Sequence, residues 1–135
     1  MVKEKLNGIY IPMVTPFNAD ESINFNGIKE CTDFLVQNGV SGVIPSGSTG
    51  EMIALARDEQ IAVNRETVKA AAGRIKVVAS TGAYRTKDVI EMSIAAEADG
   101  ADGIMAVTPW YMAPNEIEIL GHYEAIRKAI SIPIM

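Results

Sequence analysis

Four short apolar runs, each followed by a longer stretch of helical periodicity, constrain this chain more than any other feature. Residues 8–14, 42–45, 75–80 and 103–107 are dense in apolar residues and bounded by glycine, proline or polar turn residues, the pattern of strands. Between them lie helical faces: Ile28, Cys31 and Leu35 fall three and four apart, Ile61, Val68, Ala71 and Ala72 are expected inward on the second helix, and Val89, Met92, Ala95 and Ala96 form one face of the third. Residues 132–135 begin a fifth run, so the order is βαβαβαβαβ. Strands joined through helices of this length need crossover connections, and crossovers impose a parallel sheet. The nearly continuous apolar character of the runs suits strands covered on both faces.

Local signals agree with this order. Asn24 is placed to cap the first helix and Asn38-Gly39 to end it. The second helix opens at Arg57 and ends near Gly73, the third opens at Thr86 or Asp88, and Asn115 with Glu118 forms a capping-box pattern for the fourth. The heptapeptide from Asn38 to Ile44 is echoed from Asp99 to Met105, two βα units later, each copy setting a glycine just before a strand. The 135 residues suffice for a single domain, 1–135. A doubly wound sheet would carry Gly-x-Gly-x-x-Gly after its first strand, and none is present. Polar loops instead follow strands two, three and four alike, which predicts an α/β fold of the (β/α)8 TIM-barrel type with its chemistry at the carboxyl ends of the strands. A whole barrel takes about 250 residues, so this chain holds about half of one.

The net charge of −5 argues against nucleic acid or an anionic membrane as partner. A single cysteine, Cys31, excludes an internal disulfide, and it is expected as a buried thiol on the apolar side of its helix. The lone His122, expected as a surface or packing residue, cannot form a metal cluster by itself, so neither a metal nor a cofactor is expected. The first five residues hold no apolar leader and no run of about 18 apolar residues follows, which predicts a soluble, cytoplasmic protein.

Gly47-Ser48-Thr49-Gly50-Glu51 joins the second strand to the second helix. Two glycines around two hydroxyls suggest a tight turn that uses the backbone freedom of glycine. Exposed amides with the Ser48 and Thr49 hydroxyls would make an anion cradle for a carboxylate or a phosphate. The bland alternative is a polar strand-to-helix turn. A phosphate site ranks below a carboxylate site, because barrel phosphate sites follow strands seven and eight.

Thr15-Pro16-Phe17, Gly47-Ser48-Thr49-Gly50-Glu51 and Thr108-Pro109-Trp110-Tyr111, in this order, resemble the dihydrodipicolinate synthase and N-acetylneuraminate lyase family. The resemblance runs from Gly8 to Met135. It implies a (β/α)8 barrel that binds pyruvate as a Schiff base on a lysine and joins it to, or cleaves it from, an aldehyde, with lysine biosynthesis as one setting. Thr49, with the amides around Gly47 and Gly50, is implied as the holder of the pyruvate carboxylate. Ser48 is implied as a hydroxyl of a proton relay, in a place where synthases often have threonine and lyases often serine. Tyr111 is implied as the tyrosine completing that relay, in many members across the interface of a homo-oligomer. Trp110 stands where a tyrosine is common, and Ala56 where many members carry a Ser or Thr cap, at a cost of about 1 kcal/mol.

In the family the second relay tyrosine follows the fifth strand and the Schiff-base lysine lies on the sixth, both beyond Met135. Lys76 opens its strand at the face away from the chemistry, Lys87 stands in a first helical turn, and Lys3, Lys5, Lys29, Lys69 and Lys128 lie in the tail or on helices. The chain alone is therefore expected to be catalytically silent. A non-catalytic half-barrel serving assembly is the competing reading. Half a barrel would also expose the inward apolar face of runs 9–14, 43–44, 77–79 and 104–107 and leave two strand edges open, so self-association is expected.

Overall fold

The computed structural model describes residues 6–111 and 113–135; Lys3, Lys5 and Met112 lie outside them. Strand β1 (Tyr10–Pro12) leads to helix α1 (Phe25–Gln37), then β2 (Gly42–Ile44), α2 (Arg57–Ala71), β3 (Lys76–Ser80), α3 (Thr86–Asp99), β4 (Gly103–Met105) and α4 (Glu116–Ala129). The strands pair in parallel in the order β1-β2-β3-β4, with Ile11 opposite Val43, Val43 opposite Val77, and Ala79 opposite Ile104. The fifth run begins a further parallel pairing: Ile134 bridges to Ile104, and the Met135 amide donates to the Ile104 carbonyl at 2.8 Å. Four parallel strands alternating with four helices are half of a (β/α)8 barrel.

Strand alternation sorts the side chains into two layers. Val43 and Val77 point outward and pack with Ala71 of α2, while Ala79 and Ile104 pack with Val89 and Ala96 of α3 and Ile126 of α4. Gly42, Ile44, Val78, Ser80, Gly103 and Met105 fall on the opposite, concave side. There the sequence-based expectation of an exposed apolar face fails. Ile44 is 6% exposed and Val78 0%, and the large apolar side chains that stand out in the named runs are Ile9 at 67% and Val14 at 52%. The reason is curvature, which crowds side chains on the concave side. The Tyr10 ring lies over Gly42, where a built β-carbon would stand 2.3 Å from it, and the Met105 methyl covers Gly47. The open apolar surface lies instead at the β1 edge and α1, around Phe34 (63% exposed), and on outward helix positions such as Ile117 (82%). Cys31 is half-buried rather than buried, because it lines an apolar groove between β1 and α1 with Ile11, Met13 and Phe34.

Helix ends follow the sequence signals closely. Asn24 accepts from the Gly27 amide at 2.9 Å, and Asn115 and Glu118 form their reciprocal box at 3.1 and 2.8 Å. Gly39 and Gly100 take φ of 72° and 93° just past α1 and α3, and Gly42 and Gly103 open the strands that follow. The echoed heptapeptide is thus a helix stop followed by a strand start. At α2 the Glu59 carboxylate accepts from the Ala56 amide at 2.8 Å, but alanine offers no acceptor in return. Ala72 caps the end of α2 in the left-handed region and is exposed, not inward as its spacing suggests. Replacing Ala56 by Ser should supply the missing acceptor and stabilise the chain by about 1 kcal/mol. A urea unfolding midpoint no higher than wild type would show that α2 gains nothing from the cap.

Neighbouring helices are laced at the surface by Arg74–Asp33 at 2.5 Å, Arg57–Glu91 at 2.7 Å and Arg65–Asp99 at 3.0 Å. Such exposed pairs orient more than they stabilise. His122 contributes differently: it is 4% exposed between α3 and α4, and its Nδ1 stands 2.9 Å from the Thr86 hydroxyl. Burial holds the His122 imidazole below its ordinary value of 6.5. The unfolded chain then binds the proton more readily than the folded one, so this contribution to stability is whole above pH 6.5 and is lost as pH falls below it. The hydrogen-bonded carboxylates Asp33 and Asp88 are held below 3.8 and stay ionised through this window. Unfolding midpoints at pH 7.5 and 5.5 should differ in the wild type and differ less in His122→Gln. Equal losses in both proteins would remove His122 from the pH response.

Candidate functional site

Parallel strands deliver their following loops to one rim, and the glycine-serine loop after β2 lies in the middle of it. Ser46 takes φ of 47° and Glu51 φ of 59°. The left-handed residues therefore flank Gly47-Ser48-Thr49-Gly50, and the two glycines are not the ones that need positive φ, contrary to the sequence reading. Gly50 is required for space. A β-carbon there would stand 2.9 Å from the Ser46 Cα and 3.0 Å from the Met13 carbonyl oxygen, both backbone atoms. The loop thus presses directly on the end of β1, where the Thr15 hydroxyl donates to the Gly50 carbonyl at 2.7 Å.

The turn closes through Glu51 N to Ser48 O and Met52 N to Gly47 O, each at 3.1 Å. Those two amides are consumed within the loop. The amides of Ser48 and Thr49 donate to no acceptor among the described residues, and both side chains are exposed at the rim. The result is a short arc of donors, two amides and two hydroxyls, over a scaffold fixed from below, which can hold a small anion.

Beneath the arc lies a buried polar trio. The Ser46 hydroxyl donates to Asn64 Oδ1 at 2.8 Å, and Asn64 Nδ2 donates to the Ser80 carbonyl at 2.9 Å. Ser46 and Ser80 are 0% exposed and Asn64 2%. With Gln60 and Thr67, Asn64 makes the buried face of α2 unusually polar. Sequence periodicity missed this face, because it counted only apolar residues as inward. Thr15, too, was visible only as part of a motif, not as the residue that ties β1 to the loop.

Tyr111 is placed on the same rim, after β4, and no hydrogen bond joins it to Ser48. It is 91% exposed with φ of 71°, and it makes no hydrogen bond to any described residue. A bulky residue in the left-handed region is uncommon and marks a backbone held for a reason. Trp110 before it packs edge-on to Tyr84 at 6.0 Å between ring centroids. At the opposite rim Lys76 donates to Asp102 at 2.9 Å, as its place at the start of β3 foretold, and Lys87 has an 81% exposed side chain. Among the described residues no group of three or more His, Cys, Asp and Glu is placed to hold a metal ion, and no helix is long and apolar enough to cross a membrane.

Fold and rim together define a half of a (β/α)8 barrel with an arc of unpaired donors at the carboxyl ends of its strands. Residues 5–135 match the dihydrodipicolinate synthetase family, and the chain belongs to that family. It is 37% identical over 130 residues to the 4-hydroxy-tetrahydrodipicolinate synthase of Neisseria gonorrhoeae, covering 96% of this chain and 45% of that protein. Among solved structures, the chloride-inhibited dihydrodipicolinate synthase of Acinetobacter baumannii complexed with pyruvate matches with a TM-score of 0.91 and 31% identity, over 96% of this chain and 45% of that one. The N-acetylneuraminate lyase of Mycoplasma synoviae matches with a TM-score of 0.90 and 34% identity, over 95% and 45%. The chain therefore spans about half the length of the relatives it matches.

The tightness at Gly50 makes a sharp test of the loop's geometry. Gly50→Ala should cost about 1–3 kcal/mol, because backbone on two sides cannot yield to the added methyl. A urea midpoint equal to wild type would mean that the loop stands away from β1 and Ser46.

Proposed function

We propose that the full-length protein carrying this chain is a pyruvate-dependent lyase or synthase of the dihydrodipicolinate synthase kind, working through a lysine imine, and that this chain supplies the carboxylate cradle and part of the proton relay. The observation that carries the reading is the arc of unspent donors at Ser48 and Thr49, set on the carboxyl rim of a family barrel. Thr49 holds one carboxylate oxygen of pyruvate through its hydroxyl, with the loop amides completing the cradle. Fixing the carboxylate aims the keto carbon toward the barrel axis, where an amine can attack it.

Imine formation needs protons delivered to the carbinolamine as water leaves. Ser48 stands beside Thr49 and can pass a proton without changing charge, which suits a relay hydroxyl. Tyr111 supplies the next hydroxyl from outside the protomer's own cradle. Its exposure and its left-handed backbone suit a side chain that crosses to a neighbouring copy, so the working protein is a homo-oligomer. The imine lysine belongs to the portion of the barrel outside these 135 residues. Lys76 is spoken for at the far rim, and Lys87 is an exposed residue of the first turn of α3 that faces Glu91 at 3.8 Å.

A second reading, an N-acetylneuraminate lyase-like aldolase, is favoured by the serine at position 48. The two share pyruvate and the imine and differ in the aldehyde. The test is borohydride reduction of the full-length protein with pyruvate. A stable mass increase on one lysine is expected, and no increase would overturn the imine. Thr49→Val in the same protein should weaken pyruvate binding by the worth of one charge-assisted hydrogen bond, about 1.5–3 kcal/mol. A pyruvate KM equal to wild type would show that Thr49 is not the cradle.

A further inference from the structure

We propose that Asn64, buried in α2 beneath the rim, is a positioning residue for the anion cradle, acting through Ser46. The inference rests on the reading of Ser48 and Thr49 as that cradle.

Ser46 is the last residue before Gly47-Ser48-Thr49-Gly50, and its backbone sits at φ of 47°. A serine has no intrinsic reason to adopt the left-handed region and stays there only when its surroundings hold it. The holding groups are specific. The Ser80 amide donates to the Pro45 carbonyl at 3.3 Å, and the Ser46 hydroxyl lies 2.8 Å from Asn64 Oδ1 and 3.3 Å from the Ser80 carbonyl. Asn64 Nδ2 reaches the same Ser80 carbonyl at 2.9 Å. One asparagine thus ties the turn after β2 to the end of β3.

Donor and acceptor chemistry fixes the orientation of that asparagine. The Ser80 carbonyl only accepts, so it must face the amide nitrogen, and Oδ1 is left for the one proton of the Ser46 hydroxyl. All three residues are at least 98% buried, since Asn64, the least buried, is 2% exposed. Water therefore offers no substitute partner if one member is removed. The Ser80 hydroxyl, itself without a hydrogen-bond partner, lies beneath the loop, where a β-carbon on Gly47 would stand 3.9 Å from it. A fold needing only filler between α2 and two strand ends would be served by apolar side chains. A directional bracket instead fixes the angle at which the chain leaves Ser46, and hence where the Ser48 and Thr49 donors point. Small errors in such aim are costly to binding.

The experiment separates aim from stability in the full-length protein. Asn64→Leu takes from the buried Ser46 hydroxyl its 2.8 Å acceptor and leaves it only the longer approach to the Ser80 carbonyl at 3.3 Å, so it should lower Tm and raise the pyruvate KM about tenfold, with kcat changed far less. Adding Ser46→Ala removes the stranded hydroxyl, so the double variant should regain most of the lost Tm, because deleting both partners is far less costly than deleting one. Its pyruvate KM should nonetheless stay raised, since the bracket is gone. A double variant that regains both Tm and wild-type KM would overturn the proposal and leave the trio a matter of packing. An Asn64→Leu variant that loses Tm but keeps its KM would do the same. Thr49→Val, run alongside, tells the two readings apart: if it leaves the KM unchanged, the cradle itself falls and this inference with it. If Thr49→Val raises the KM while the double variant does not, only the role of Asn64 is lost.

Discussion

The parallel direction of the strands is the constraint on which everything chemical in this chain depends. Each crossover helix returns the chain to the same starting end, so every strand finishes on one rim. The loops after β1, β2, β3 and β4 are brought together by that fact alone. The two rims then diverge in character. At the starting end Lys76 and Asp102 bind each other, and Asp102 also accepts from the Val77 amide at 2.9 Å, so these charges are engaged with one another. At the finishing end the amides and hydroxyls of Ser48 and Thr49 are unspent. The sheet's curvature adds a second effect by drawing concave side chains together, so that Val78 is fully buried although no further strands close the ring.

Much of the fold was legible in the sequence because it rests on local rules. Hydrophobic period separated strands from helices, and Asn24, Asn115, Gly39 and Gly100 marked boundaries through capping and backbone freedom. Strand lengths were read too generously: 8–14 shrinks to Tyr10–Pro12 and 103–107 to Gly103–Met105. Some trimmed residues still reach a neighbour, Met13 N to Ile44 O at 3.0 Å and Ala106 N to Met135 O at 3.2 Å, without extending the regular ladder, a tertiary matter that composition does not encode. The expected exposed inner face failed for a related reason. Alternation tells which side a residue faces, but not how tightly the sheet curls over that side.

The loop of the candidate site was legible in its composition but not in its mechanics. Two glycines and two hydroxyls between a strand and a helix point to a cradle whatever the details. The reason offered for the glycines, however, was backbone freedom, whereas Gly50 is needed because the end of β1 and the Ser46 backbone leave no room for a methyl group. Positive φ falls on Ser46 and Glu51 instead, residues that no propensity scale would select. Asn64 escaped notice for a different reason. On a helix whose mean composition is polar, a buried asparagine looks like one more solvated residue, and only its partners on two other elements reveal it.

Tyr111 shows how far one protomer can carry the relay. A proton relay needs hydroxyls in contact, and the one at Tyr111 touches no described polar group. A phenol so exposed is surrounded by water, so in isolation it directs nothing. The backbone at φ of 71° nevertheless holds it clear of its own barrel, and the Trp110–Tyr84 contact anchors the segment just before it. Rigidity without a partner is costly, since a left-handed tyrosine forfeits conformational freedom that flexible loops keep. Under the proposed function, that cost is repaid when a second copy presents its own rim to the phenol and excludes the water around it. The same contact would dehydrate the Ser48 hydroxyl and strengthen its hydrogen bonds. In this reading the cradle is a property of one chain, and the relay is a property of two.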